Sequence, residues 1–180
     1  PGGSVEMPVL ISSDGGFEGV GLETMTVNAS YETTHLTATA VDPASYMERG
    51  NETEVYDKTN IDTEDGRVTV EQWRDPPRDG ATGNAHFATI TFRVADDAPE
   101  TNTTVSFGES RGALVGDYEV FVFTENATVS IDEDAPSETP ETSAGGGGVL
   151  DSDVAGTGTV LVLVAGILAL VVVAIAARGE

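Results

Sequence analysis

From Val5 to Ile131 apolar residues recur at every second position, in short runs separated by Gly, Pro, Asn and Asp. Val5, Met7, Val9 and Ile11 share one parity, as do Met25, Val27, Ala29 and Tyr31, then Val68 and Val70, then Ala88, Ile90, Phe92 and Val94. A period of two puts each set on one face of an extended strand. Shorter runs follow at Val105 and Phe107, at Tyr118 to Phe123 with apolar residues on both parities, and at Val129 and Ile131. No helical period of useful length interrupts them. Residues 1–131 therefore predict an all-β domain of about eight or nine strands. Strands with one wet and one dry face bury their apolar sides most economically as two packed sheets. Asp65-Gly66, just ahead of RVTVEQW, predicts a two-residue hairpin turn with positive φ at both central positions. Pro8 lacks an N–H to give to a neighbour, so its strand is expected at an edge.

A second pattern lies at the other end. Val154 to Ala177 contains no charged residue, and it exceeds the roughly 20 residues that a helix needs to cross a hydrocarbon core. One transmembrane helix is predicted over 154–177. Arg178 follows it and Asp151 and Asp153 precede it, so the positive-inside tendency places the tail, 178–180, in the cytoplasm and residues 1–153 outside a plasma membrane crossed once. Residues 132–153 include SETPETSAGGGG and offer almost nothing to bury, which reads as a stalk. The absence of Met at position 1 is read as a removed leader or a trimmed start.

Charge narrows the partners. The 180 residues hold 31 Asp and Glu against 8 Lys and Arg, a net of −23. Such a surface repels a polyanion, which excludes nucleic acid. All the charged residues but Arg178 and Glu180 precede the apolar run, and Lys58 is the sole lysine. Carboxylates with few lysine stems suit multimolar salt, where a Debye length of about 3 Å silences repulsion between neighbours. A halophile of archaeal type is the expectation. With no cysteine there is no disulfide, thiolate metal site or thiol nucleophile.

Nothing in the chain announces catalysis. His35 and His86 are the only histidines and neither falls in a triad pattern; so many acids make any carboxylate pair uninformative. Asp62 to Gly66 resembles the start of a calcium loop, but its glycine falls one place early and the distal glutamate is missing, which favours a solvated hairpin. No catalytic residue, cofactor or metal site is expected.

The outward parity carries the functional reading. If Val68 and Val70 face inward, Arg67, Thr69, Glu71 and Trp73 face outward. Trp and Arg are favoured interface anchors. Thr89, Thr91 and Arg93 form the outward set of what is taken as the adjacent strand, so Glu71, Trp73 and Arg93 are the candidate partner-binding residues of one patch. Asn-X-Ser/Thr acceptors stand at Asn28, Asn51, Asn102 and Asn126, each a candidate glycan site outside the membrane.

The segments GGSVEMPVLI, GLETMTVNASYETTHLTATAV, DGRVTVEQW, HFATITFRVADDAPETNTTVSF and DYEVFVFTENATVSI together resemble a cohesin domain, with FATITFRV, Phe87 to Val94, the best single match. The resemblance spans nearly all of residues 1–131. It implies a nine-stranded jelly-roll β-sandwich related to carbohydrate-binding modules, and a non-catalytic cell-surface scaffold that docks dockerin-bearing proteins linked to polysaccharide degradation. It also implies a dockerin-binding sheet built from the strands that resemble Met25 to Tyr31, Arg67 to Trp73 and Phe87 to Val94, on which a glycan at Asn28 would stand. The family's first strand would precede Pro1, leaving one edge of the sandwich short. Two alternatives stay open. Direct polysaccharide binding requires exposed aromatics in a row, with Trp73, Tyr46 and Tyr56 available; a structural, glycosylated envelope protein requires no binding face at all.

Overall fold

The computed structural model of the chain describes residues 1–16, 19–50, 52–132 and 169–174. Ten strands lie within residues 4–131: β1 (Ser4–Ser13), β2 (Leu22–Ser30), β3 (Leu36–Pro43), β4 (Glu54–Asp62), β5 (Arg67–Asp75), β6 (Gly83–Val94), β7 (Thr101–Val105), β8 (Arg111–Leu114), β9 (Tyr118–Thr124) and β10 (Ala127–Ile131). A further strand, β11 (Ala169–Ala174), lies between β1 and β9. The hydrogen-bonded order is β3-β6-β1-β11-β9-β8-β2-β5-β4, with β10 and β7 as a separate pair.

This long ladder closes on itself as a sandwich. Tyr31 after β2 meets Phe92 of β6 edge to face at 5.1 Å, and the Gln72 amide of β5 donates to the Phe87 carbonyl of β6 at 3.1 Å. The β3-β6-β1 layer therefore packs on the β8-β2-β5-β4 layer. Met7, Val9, Ile11, Met25, Val27, Val68, Val70, Ile90 and Phe92 fill the space between them, as their parity predicts. The same inward parity continues to Gln72 and Arg74, which are 1% and 2% exposed. They are tolerated because each is bonded to backbone oxygen. Gln72 also donates to the Ala44 carbonyl at 3.1 Å, and Arg74 donates to the carbonyls of Met47 at 2.9 Å and Pro77 at 3.1 Å. The short 3-10 turn Ser45–Glu48 is thereby pinned under the sheet, with Tyr46 wholly buried against Phe87.

Three local details go beyond the expectations. The β4–β5 hairpin is present, but Asp62 pairs with Arg67 across a longer loop, the Asp62 carboxylate accepts the N–H groups of Glu64 and Asp65, and only Gly66 of the Asp65-Gly66 pair has positive φ, 62°. The carboxylate of the calcium-like stretch is thus a turn cap. Pro8 lies on the half of β1 that has only β6 beside it, whereas Val9 to Ser13 also pair with β11, so the edge expectation holds for that half. Finally, β4 and β8 are strands that the apolar alternation did not announce.

The expected stalk beyond Asp132, most of the expected transmembrane helix and the tail fall outside the described residues. Ala169–Ala174 is the described part of that helix, and here it is extended, parallel to β1 from Val9↔Ala169 to Ser13↔Val173 and antiparallel to β9. Consecutive valines suit a strand, and the facing flanks of β1 and β9 offer backbone groups to pair. Among the described residues no helix is long and apolar enough to cross a membrane.

Candidate functional site

Register places outward side chains in rows across the second layer. One row runs Tyr56, Trp73, Thr24, Ala113, Glu119, from β4 through β5, β2 and β8 to β9. The next runs Lys58, Glu71, Thr26, Arg111 over the first four of these strands. On β9, Phe121 and Phe123 share the outward parity of Glu119 and are 68% and 60% exposed, while Val120 and Val122 pack against the core. Exposed aromatics at this density mark an interaction surface rather than a solvated face.

Trp73 is neither free nor core. It is half-buried on the outer face, with its ring stacked on Tyr56 at 5.7 Å and 16° between planes. The Tyr56 hydroxyl donates to the Glu54 carboxylate at 2.6 Å, and that carboxylate holds the phenol above its ordinary pKa. The two rings form a small fixed platform at one side of the face, with Phe121 and Phe123 at the other.

Charge on this face departs from the chain as a whole. Lys58, Arg67 and Arg111 stand among Glu54, Asp62, Glu71, Asp75 and Glu119, three cations to five acids, a higher share of cations than the 8 to 31 of the whole chain. Interface centres are enriched in aromatics and arginine, and this face carries both.

Glu71 and Trp73 are brought together, two residues apart on β5, but Arg93 is not with them. β6 belongs to the other layer, between β1 and β3, so Arg93 points away from the opposite side of the sandwich, where it pairs with Asp96 at 3.0 Å. The Pro76–Thr82 connection crosses between layers instead of turning β5 back onto β6. Parity was right for both strands; their adjacency was not. For the same reason Phe87 to Val94 does not belong to the sheet that carries Trp73. Tyr46, offered for a row of aromatics, is core.

The acceptor asparagines separate by their contacts. Asn28 is bonded at both ends of its amide: Nδ2 donates to the Glu109 carbonyl at 3.0 Å, and Oδ1 accepts from Thr69 Oγ1 at 2.8 Å. Among the described residues, Asn102 and Asn126 are engaged only at Oδ1, by Ser130 Oγ at 2.7 Å and the Phe107 N–H at 3.4 Å. Asn51 lies outside the described residues. His35 closes the turn after β2, and His86 Nε2 lies 2.8 Å from the Ala88 carbonyl and 3.0 Å from Thr89 Oγ1 on the β6 surface. Among the described residues no acidic or histidine cluster is arranged to hold a metal.

Arg111, Phe121 and Phe123 were not among the candidates read from the sequence, and Tyr56 entered only as an aromatic available for polysaccharide binding. For the phenylalanines a signal existed, since apolar residues on both parities of Tyr118 to Phe123 leave one set with no core to enter.

Comparison with known proteins bears on the whole sandwich. No curated protein matches the chain. Among solved structures it is similar to the OlpA cohesin of Clostridium thermocellum in complex with the dockerin Doc918, at 17% identity over 73% of this chain and 91% of that one, TM-score 0.58. The seventh ScaB type I cohesin of Pseudobacteroides cellulosolvens aligns at 16% identity over 77% and 88%, TM-score 0.59. A non-cellulosomal cohesin from the archaeon Archaeoglobus fulgidus aligns at 15% over 74% and 84%, TM-score 0.54. These likenesses establish the fold. The cohesin domain family matches residues 1–139, most of the chain and every described strand but β11, and the chain therefore belongs to the cohesin family of non-catalytic protein–protein docking modules.

Proposed function

We propose that this chain is a cell-surface docking module that captures a dockerin-like module of a partner protein on the outer face of β4-β5-β2-β8-β9. The observation that carries the reading is that face itself: richer in cations than the rest of a strongly acidic molecule, with the Tyr56–Trp73 stack at one side and Phe121 and Phe123 at the other. Contacts of this kind keep their strength in concentrated salt, where long-range steering is lost. Similar folds in the cohesin–dockerin complexes of Clostridium thermocellum support a protein partner. A link to polysaccharide degradation extends the same proposal to the partner's cargo.

Display at the surface is the second half of the proposal. The uncharged run Val154 to Ala177 with Arg178 behind it supports a single membrane anchor. In a bilayer the run would pair its backbone internally as a helix, vacating the place of β11 beside β1. The acidic composition supports multimolar salt as the medium.

The direct test is binding of dockerin modules encoded by the source organism to the full chain in high salt. Saturable capture by the wild-type chain supports the reading. Retention of polysaccharide in affinity electrophoresis, with no dockerin captured, would transfer the Tyr56–Trp73 platform to sugar stacking.

A further inference from the structure

On the docking face a cleft of about 300 Å³ opens between the end of β2, the start of β5 and the loop that precedes β8. Arg67 and Arg111 flank it, Asn28 and Thr69 lie between them, and Gly108 and Glu109 form the opposite wall. Glu109 adopts a left-handed conformation with φ 57°, uncommon for a residue with a side chain and tolerated only where neighbours over-determine it. Two bonds from Asn28 do this: its amide donates to the Glu109 carbonyl, and its backbone N–H donates to Ser110 Oγ at 3.2 Å. The wall is therefore built, not incidental.

Among the described residues neither Arg67 nor Arg111 donates a side-chain hydrogen bond or joins an ion pair, although the chain has 31 acids to offer. Arg67 stands across the hairpin from Asp62, whose Oδ1 accepts two N–H groups of the turn. Even with the Glu109 carboxylate counted, the cleft is net positive in a molecule that is otherwise strongly negative. A guanidinium presents a planar fork of donors matched to a carboxylate.

We propose that this cleft is a carboxylate subsite: Arg67 and Arg111 receive an aspartate or glutamate side chain of the docked partner and set the register of docking. The proposal rests on the docking reading above and adds the partner's chemistry to it. In multimolar salt the repulsion between two acidic proteins is screened within about 3 Å, while a contact pair of charge-assisted bonds persists.

The probe is a fluorescent octapeptide of alternating glutamate and serine, with a glutamine counterpart, titrated against the full chain at about 1 M KCl and read by anisotropy. The glutamate peptide should bind at least ~10-fold more tightly than the glutamine one, and Arg67→Gln and Arg111→Gln should each weaken it about five-fold, the scale of one exposed ion pair. Arg93→Gln, on the other layer, should change nothing. Equal binding of both peptides, no binding of either, or indifference to both arginine substitutions would overturn the subsite. Dockerin capture is measured on the same samples. Capture without peptide discrimination removes the subsite and leaves the docking reading standing; discrimination without capture removes the docking reading and leaves an acid-binding cleft.

Discussion

Stability and binding should come apart between Phe92 and Trp73, because the two rings lie on opposite faces of their sheets. Phe92 is fully buried and touches Tyr31 edge to face at 5.1 Å across the sandwich. Phe92→Ala removes the transfer energy of the ring and leaves a cavity between closely packed layers, at a cost of ~3–5 kcal/mol. The lost ring pair is included in that figure. For a domain of this size, each kcal/mol moves the midpoint by roughly 3 °C, so a fall of about 10–15 °C is expected. Trp73 is half-buried on the outside, stacked on Tyr56 alone. Trp73→Ala uncovers one face of Tyr56 and opens no cavity, a cost near ~1 kcal/mol and a shift of about 3 °C. Thermal unfolding followed by circular dichroism in high KCl measures both. Equal destabilisation by the two substitutions would show that Trp73 is core, and the docking face would lose its anchor.

Tyr46 is buried and its phenol is pushed up to about 12 from the ordinary 10.0. Above the ordinary value the unfolded chain gives up that proton first, so stability is intact below about pH 10 and falls from there through about pH 12; Tyr46→Phe should remove this part of the alkaline loss in denaturant titrations at both ends of the window. Mass spectrometry of chain isolated from its native source should find glycan on Asn102 and Asn126 and none on Asn28, whose amide is bonded at both ends; a modified Asn28 would require those bonds to be broken. Circular dichroism against KCl should show cooperative folding above about 1 M, and full native structure in dilute buffer would remove the halophile reading.

Parity was the most legible part of the chain. The sets beginning at Val5, Met25, Val68 and Ala88 are the inner faces of β1, β2, β5 and β6, because burial of one face of a strand writes itself directly into a period of two. Pairing is not written that way. Which strand lies beside β5 depends on contacts remote in sequence, and Arg93 was assigned to the wrong layer for that reason. β4 escaped notice because only Val55 and Ile61 pack against the core from that strand, and with β4 went the pairing that stacks Tyr56 on Trp73. Gln72 and Arg74 were invisible as core residues since polarity argues for the surface until the carbonyls of Ala44, Met47 and Pro77 are placed beside them.

The central claim is the location of the docking face, and two variants, one on each layer, decide it. Dockerin capture by the full chain should fall at least ~10-fold when Trp73→Ala and Phe121→Ala are combined, since anchors at an interface centre dominate its affinity, and should be unchanged by Arg93→Ala. Capture that survives the pair and is lost with Arg93→Ala would place the interface on β3-β6-β1 and contradict the account.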